Sequence, residues 1–165
     1  MNGRVIVITG ATGGLGGAAA RAFAEVGASL ALLGHDQNKL DVLARELNLP
    51  AERALTLAVD LRDAAAVQEA AEAVAAKFGR INALIHLVGG WTGGKTLPES
   101  SADEFASMLD QHAWTTFHLF KELAPRLAYA RQTFSDAARA YSAATEEFPT
   151  RWVARLFGMR PTPAI

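Results

Sequence analysis

Apolar and polar positions follow two alternating patterns along this chain. Short runs of consecutive apolar residues are followed by longer stretches in which apolar residues recur at helical spacing. The first run, Val5-Ile6-Val7-Ile8, has no polar interruption, as expected of a strand covered on both faces. Three more runs follow, over residues 28–33, 54–59 and 81–88. Between them the spacing predicts helices through residues 18–26, 37–47 and 63–78. Leu40, Leu43, Ala44 and Leu47 share one face of the second helix, and Val67, Ala70, Ala71, Val74 and Phe78 one face of the third. Asp63 is placed to cap the start of that third helix and Gly79 its end. Strand–helix units repeated in this way predict right-handed crossovers and an α/β fold, a doubly wound parallel sheet. The expected strand order is 3-2-1-4, with a ligand crevice between strands 1 and 4 at their carboxyl ends.

Beyond the fourth strand the pattern changes. A glycine- and threonine-rich loop over residues 91–97 is closed by Pro98, and Ser101 can cap a helix that starts at Asp103-Glu104 and runs to residues 123–124. Pro125 is expected to interrupt it. Phe134, Ala137, Ala138, Tyr141, Thr145 and Phe148 lie at helical spacing, and a short last helix is expected through Trp152, Val153, Leu156 and Phe157.

The chemistry concentrates in the first strand-to-helix turn, Thr9-Gly10-Ala11-Thr12-Gly13-Gly14-Leu15-Gly16-Gly17. Gly10 suits a tight turn, and Gly14 and Gly16 let backbone N–H groups come close to a bound group. The following helix points its positive dipole end at the same gap, and a pyrophosphate is the natural occupant. The expected organisation is therefore a dinucleotide-binding domain over residues 1–127, with a helical C-terminal segment over 128–165 packed on it.

Composition narrows the partners. The chain has 165 residues, half of them apolar, enough for one domain with a real core. A net charge of −1 and a pI near 6.4 give no support to a nucleic-acid or anionic-membrane partner. The absence of cysteine excludes disulfide and thiolate chemistry and suits a reducing compartment. The first strand begins at once, no signal peptide is read, and no apolar run approaches the roughly 18 residues of a membrane span. A soluble, cytoplasmic protein is expected. No metal site is expected, because the four histidines combine with carboxylates at no ligand-like spacing.

Several motifs occur in a recognisable order. Thr9 to Gly16 spells the TGxxxGxG turn, Val59-Asp60-Leu61 an acidic pair after strand 3, and Phe78-Gly79-Arg80-Ile81-Asn82 an approach to strand 4. Val88-Gly89-Gly90 falls at the end of an NNAG motif. In these features the first 127 residues resemble the short-chain dehydrogenase/reductase family. The resemblance implies a Rossmann-type domain and an NAD(P)-dependent oxidoreductase that passes hydride between a nicotinamide coenzyme and a small-molecule carbonyl or alcohol substrate. It implies that Gly10, Gly14, Leu15 and Gly16 hold the pyrophosphate, with Thr9 and Thr12 on the same turn. Asp60 and Leu61 would hold the adenine, and Val88 and Gly89 the ribose side. Asp60 has a second reading, as N-cap of the next helix.

Gly34 replaces the acidic residue with which NAD-preferring relatives bind the ribose hydroxyls, so nothing there repels a 2′-phosphate. His35 stands where NADP-preferring relatives often carry arginine. NADP is therefore expected ahead of NAD, although His35 also reads as an exposed loop histidine without a role.

Departures from the family pattern begin at strand 4. His86 and Leu87 replace the NNAG asparagines, and His86 reads as a satisfied core histidine. His112 aligns with the asparagine of the family's water-linked proton relay, and reads either as a water-holding group or as a helix-surface residue. No serine-bearing fifth strand follows Leu127. Tyr141-Ser142-Ala143-Ala144-Thr145 has the spacing of YxxxK, with threonine at the lysine position. Tyr141 is the candidate proton donor, yet without lysine its pKa stays near about 10 and turnover is expected to be weak. Packing in its apolar stripe is the competing role. Strand 4, left as an apolar sheet edge, leads us to expect a homo-oligomer. The alternative to an enzyme is a non-catalytic dinucleotide-binding module or partner subunit.

Overall fold

Every residue of β1 (Val5–Thr9) is buried in the computed structural model, which describes residues 3–90, 94 and 96–127. The strand is interior because both of its sides are paired. β2 (Ser29–Gly34) lies along one side with Val5↔Ser29 through Thr9↔Leu33 in register. β4 (Ala83–His86) lies along the other, from Ile6↔Ala83 to Thr9↔His86. β3 (Ala54–Ala58) pairs with the far side of β2. All pairs are parallel and the order is β3-β2-β1-β4, as the strand–helix pattern requires. The inner strands are buried on both faces, and the edge strands β3 and β4 are half-buried.

Helices α1 (Gly14–Glu25), α2 (Gln37–Glu46) and α3 (Ala64–Phe78) make the crossovers. Ile6, Ile8, Leu30 and Leu32 project from one sheet face into a cluster with Ala20 of α1 and Leu40 and Leu43 of α2. Alternation sends Val7 and Ala31 to the opposite face, also fully buried. Val67 and Val74 of α3 are buried as well. Each fully buried Val, Ile or Leu among them contributes roughly 1.5–3 kcal/mol of transfer free energy.

The helix ends obey local chemistry. Asp63 Oδ1 accepts from the N–H of Ala65 at 2.9 Å, and Gly79 closes α3 in the left-handed region at φ +70. Ser101 and Glu104 exchange side-chain-to-backbone hydrogen bonds in a capping box at the start of α4 (Ala102–Leu109). A π-helical turn, Asp110–Trp114, follows, and residues 115–127 return to α-helix as α5.

Two expectations need correction. The helix does not stop at Pro125 but runs to residue 127, so the proline costs one i→i−4 bond rather than the element. The Arg126 guanidinium donates to the Glu122 carbonyl within the same turn. The fourth strand is also shorter than the apolar run suggests, because pairing with β1 ends at His86. Among the described residues no helix is long and apolar enough to cross a membrane. Tyr141, Thr145, the helices expected after residue 128 and the segment 128–165 itself lie outside the described residues.

Candidate functional site: a cleft at the carboxyl ends of the strands

Gly10 carries the chain out of β1 at φ +69, a backbone conformation that glycine tolerates. A Cβ there would stand 2.8 Å from the Leu87 carbonyl oxygen, so β4 can approach only because the side chain is missing. Ala11 N–H donates to Leu33 O at 3.1 Å, and Gly13 N–H returns to Gly10 O at 3.0 Å. These bonds fix the corner between β1, β2 and α1.

The glycines of the corner do different work. A Cβ on Gly16 would meet Gly10 O at 2.1 Å, so its bareness seats α1 against the turn. A Cβ on Gly14 would meet nothing within 4 Å among the described residues. Gly14 and Leu15 are exposed at the first turn of α1, Gly13 offers no side-chain cap there, and the turn holds no acidic residue. The positive end of the α1 dipole is thus open to an anion.

A cleft of about 700 Å³ runs along the strand ends. Its walls are Gly10, Thr12 and Gly13 of the turn, Gly34 and His35 after β2, Asp60, Leu61 and Arg62 after β3, and Leu87, Val88 and Gly89 after β4. A second cavity of about 420 Å³ between α1 and α2 shares Thr12 and Gly13 and adds Gly14. Of the residues expected to hold a coenzyme, Gly10, Thr12, His35, Asp60, Leu61, Val88 and Gly89 face the large cleft and Gly14 the smaller cavity. Thr9 and Gly16 are buried and line neither cavity, and Leu15 lies exposed outside both.

Asp60 is not the cap of α3, because Asp63 holds that position. Its carboxylate is instead closed by Arg62. Arg62 Nη2 donates to Oδ2 at 2.7 Å, while Nε and the backbone N–H donate to Oδ1 at 2.9 and 3.0 Å. The guanidinium, then the backbone N–H, hold the Asp60 pKa down at about 2.

His86 is only half satisfied, contrary to the core reading. Its Nδ1 pairs with Thr9 Oγ1 at 2.7 Å across the β1–β4 ladder, but Nε2 is buried with no hydrogen-bond partner among the described residues. Burial lowers its pKa from the ordinary 6.5, and His112 pushes in the same direction. The unfolded chain therefore binds this proton more tightly than the folded one. Stability is expected to be highest above pH 6.5 and to fall as pH drops through it. Melting measured from about pH 8 down to about pH 5.5 should show this loss, and His86→Asn should flatten it. Equal slopes in both proteins would contradict the assignment.

His112 sits in the π-helical turn, a local widening that is frequent at functional sites. Its Nε2 donates to the Gly90 carbonyl at 2.7 Å, and its ring covers Gly89, where a Cβ would lie 2.5 Å from Cε1. The Gly89-Gly90 pair thus lies against the ends of the His112 and Gln111 side chains, and His112 is not among the described residues that line the cleft. Sequence reasoning missed Arg62, Gln111 and Thr115, which do line it, and His118, whose Nδ1 donates to Leu61 O at 3.1 Å. The bareness of Gly90, whose added Cβ would lie 2.0 Å from Gln111 Oε1, was the available signal for the helix contact.

Comparison with known proteins agrees with this architecture. A family model described as short chain dehydrogenase matches residues 4–144. D-threitol dehydrogenase of Mycolicibacterium smegmatis is 40% identical over 89 residues, 54% of this chain and 34% of that one. A 3-ketoacyl-(acyl-carrier-protein) reductase from Brucella melitensis, solved complexed with NADH, superposes with a TM-score of 0.71 at 27% identity, covering 80% of this chain and 53% of that one. A metagenomic short-chain oxidoreductase in complex with NADP gives a TM-score of 0.72 at 29% identity, covering 79% and 59%. The chain spans between about a third and about half the length of the curated relatives it matches. By the family model and the sheet together, the chain belongs to the short-chain dehydrogenase/reductase family.

Proposed function

We propose that the cleft binds a nicotinamide dinucleotide and that the chain serves as an NAD(P)-dependent oxidoreductase on a carbonyl or alcohol substrate. The observation that carries this reading is the open first turn of α1 beside Gly14, set against the 700 Å³ cleft across the strand ends. A crevice of this kind, outside the carboxyl ends of a doubly wound sheet, suits a dinucleotide. The N–H groups of Gly14 and Leu15 would take the diphosphate, Asp60 and Leu61 the adenine, and Val88 and Gly89 the ribose next to nicotinamide. Bound there, the coenzyme supplies the hydride.

The chain's own contribution to proton movement is meagre. His112 Nε2 is committed to Gly90 O, so only Nδ1 would be left to hold a water, and the ring lies behind the cleft wall at Gly89. Tyr141 is the remaining proton donor, and Thr145 offers no cation to depress its pKa. Weak turnover follows. NADP is the preferred coenzyme, because Gly34 presents no carboxylate beside Thr12, whose Oγ1 would lie 3.5 Å from a Cβ added there. Among the described residues the half-buried β4 is a sheet edge, and a second copy of the chain would be its partner.

A non-catalytic dinucleotide-binding module is the second reading, favoured by threonine in place of the YxxxK lysine. One assay separates them. Both predict a change in NADPH fluorescence on titration with the protein. Only the oxidoreductase consumes NADPH with a panel of ketones and quinones, and Tyr141→Phe should lower that rate about tenfold or more. Binding without consumption assigns the second reading, and absence of binding overturns both.

A further inference from the structure

Asp60 raises a question that the coenzyme reading leaves open. A carboxylate in the adenosine end of the cleft should repel a 2′-phosphate, whatever Gly34 permits. His35 and Asp60 stand at the ends of adjacent strands, with Gly34 paired to Ala58 and Val59 N–H donating to Gly34 O at 2.7 Å. Both side chains line the same cavity, and the third charge-bearing side chain on its wall is Arg62.

Arg62 takes hold of both Asp60 oxygens, at 2.7 Å through Nη2 and 2.9 Å through Nε. Such a forked pair cancels the carboxylate charge in place. Asp36, the next carboxylate along from His35, is matched too. It accepts from Lys39 N–H at 3.2 Å, and Lys39 Nζ lies 3.8 Å from it. This end of the cleft therefore carries no unmatched negative charge among the described residues that wall it.

We propose that Arg62 is a specificity-determining residue: by matching the Asp60 carboxylate it lets the cleft accept a dinucleotide bearing a 2′-phosphate. The proposal rests on the coenzyme reading above and deepens it. Asp60 alone would favour NADH; Asp60 with Arg62 is indifferent to the phosphate. The two side chains are about half exposed or more, at 52% and 63%, so their replacement leaves the core untouched.

The test is the ratio of the NADPH to the NADH dissociation constant, measured by coenzyme fluorescence at low ionic strength. Arg62→Ala should raise this ratio about tenfold, the size expected for an unmatched carboxylate facing a phosphate several ångströms away in a water-like medium. Asp60→Asn combined with Arg62→Ala should return it to within about twofold of the starting value, since no carboxylate is then left on the cavity wall and Asp110, which also acts on Arg62, lies off that wall. Loss of adenine contacts in the double variant lowers both affinities together and leaves the ratio intact. A ratio unmoved by Arg62→Ala, with both coenzymes still bound, overturns the proposal alone. A double variant as shifted as the single one also overturns it, and makes Arg62 a direct phosphate ligand. Failure of the unmodified chain to bind either coenzyme removes the underlying reading as well.

Discussion

Gly16→Ala is expected to cost about 3 kcal/mol of stability and to lower the melting temperature by roughly 6–12 °C. The added methyl would lie 2.1 Å from Gly10 O and within 2.9 Å of the Ala11 Cα and carbonyl carbon. All three are backbone atoms, so no rotamer change relieves the clash and α1 must lift from the corner. Gly14, two residues earlier, should behave in the opposite way. Its Cβ would point into open space, and alanine adds up to about 1 kcal/mol of helix propensity, so Gly14→Ala should melt no lower than the parent. Gly14→Leu should also fold, while its side chain covers the open α1 amides and weakens NADPH binding more than about tenfold. Differential melting and fluorescence titration on the same three variants would decide the matter. A Gly16→Ala protein that melts with the parent would show that the corner is looser than the geometry says. Normal coenzyme uptake by Gly14→Leu would remove the diphosphate from α1.

This contrast shows what the pattern of residues reveals and what it hides. The four strands, their order and the crossover helices are legible because each element announces itself locally. Uninterrupted branched residues in Val5–Ile8 require two covered faces, and the i, i+3, i+4, i+7 stripe of Leu40, Leu43, Ala44 and Leu47 requires one. Caps such as Asp63 and Ser101 act on backbone N–H groups two or three residues on, and so they are legible too. Which glycine is bare for a ligand and which for its own backbone is not a local matter. It depends on where the Gly10 carbonyl points after the turn, and only coordinates supply that.

The same distinction applies to the polar residues. Asp60 read alone offers an adenine acceptor or a helix cap. The presence of Asp63 three residues later decides against the cap, and Arg62 turns the carboxylate into half of an ion pair. His86 read alone is an oddity in an apolar strand. Its partner Thr9 is 77 positions away and adjacent only because β4 pairs with β1. The π-helical turn that lays His112 on Gly89-Gly90 has no sequence signature of its own, and Pro125 gave a false stop for a helix that spends one hydrogen bond to continue.

Asn82→Ala is expected to lose about 2 kcal/mol, equivalent to roughly 4–8 °C in melting temperature. The residue precedes β4 and makes two contacts with one partner. Its side-chain Oδ1 accepts from Val5 N–H at 2.8 Å, and its own N–H donates to Val5 O at 2.9 Å. Val5 is 3% exposed, so an N–H stripped of that acceptor gains no water in exchange and the desolvation cost stands in full. Ladder pairing between β1 and β4 starts at the next residues, Ile6 and Ala83. Asn82 therefore fastens the end of the β1–β4 pair opposite the cleft, and loosening it should let the Leu87–Gly89 wall drift. Amide exchange in β4 should accelerate, and NADPH binding should weaken through the wall rather than through any lost contact. Asn82→Asp keeps an oxygen in the acceptor position and should recover most of the stability, whereas Asn82→Leu should not. If alanine and aspartate prove equally damaging, the side-chain hydrogen bond is not what holds the strand, and the cleft wall must be held by the backbone ladder alone.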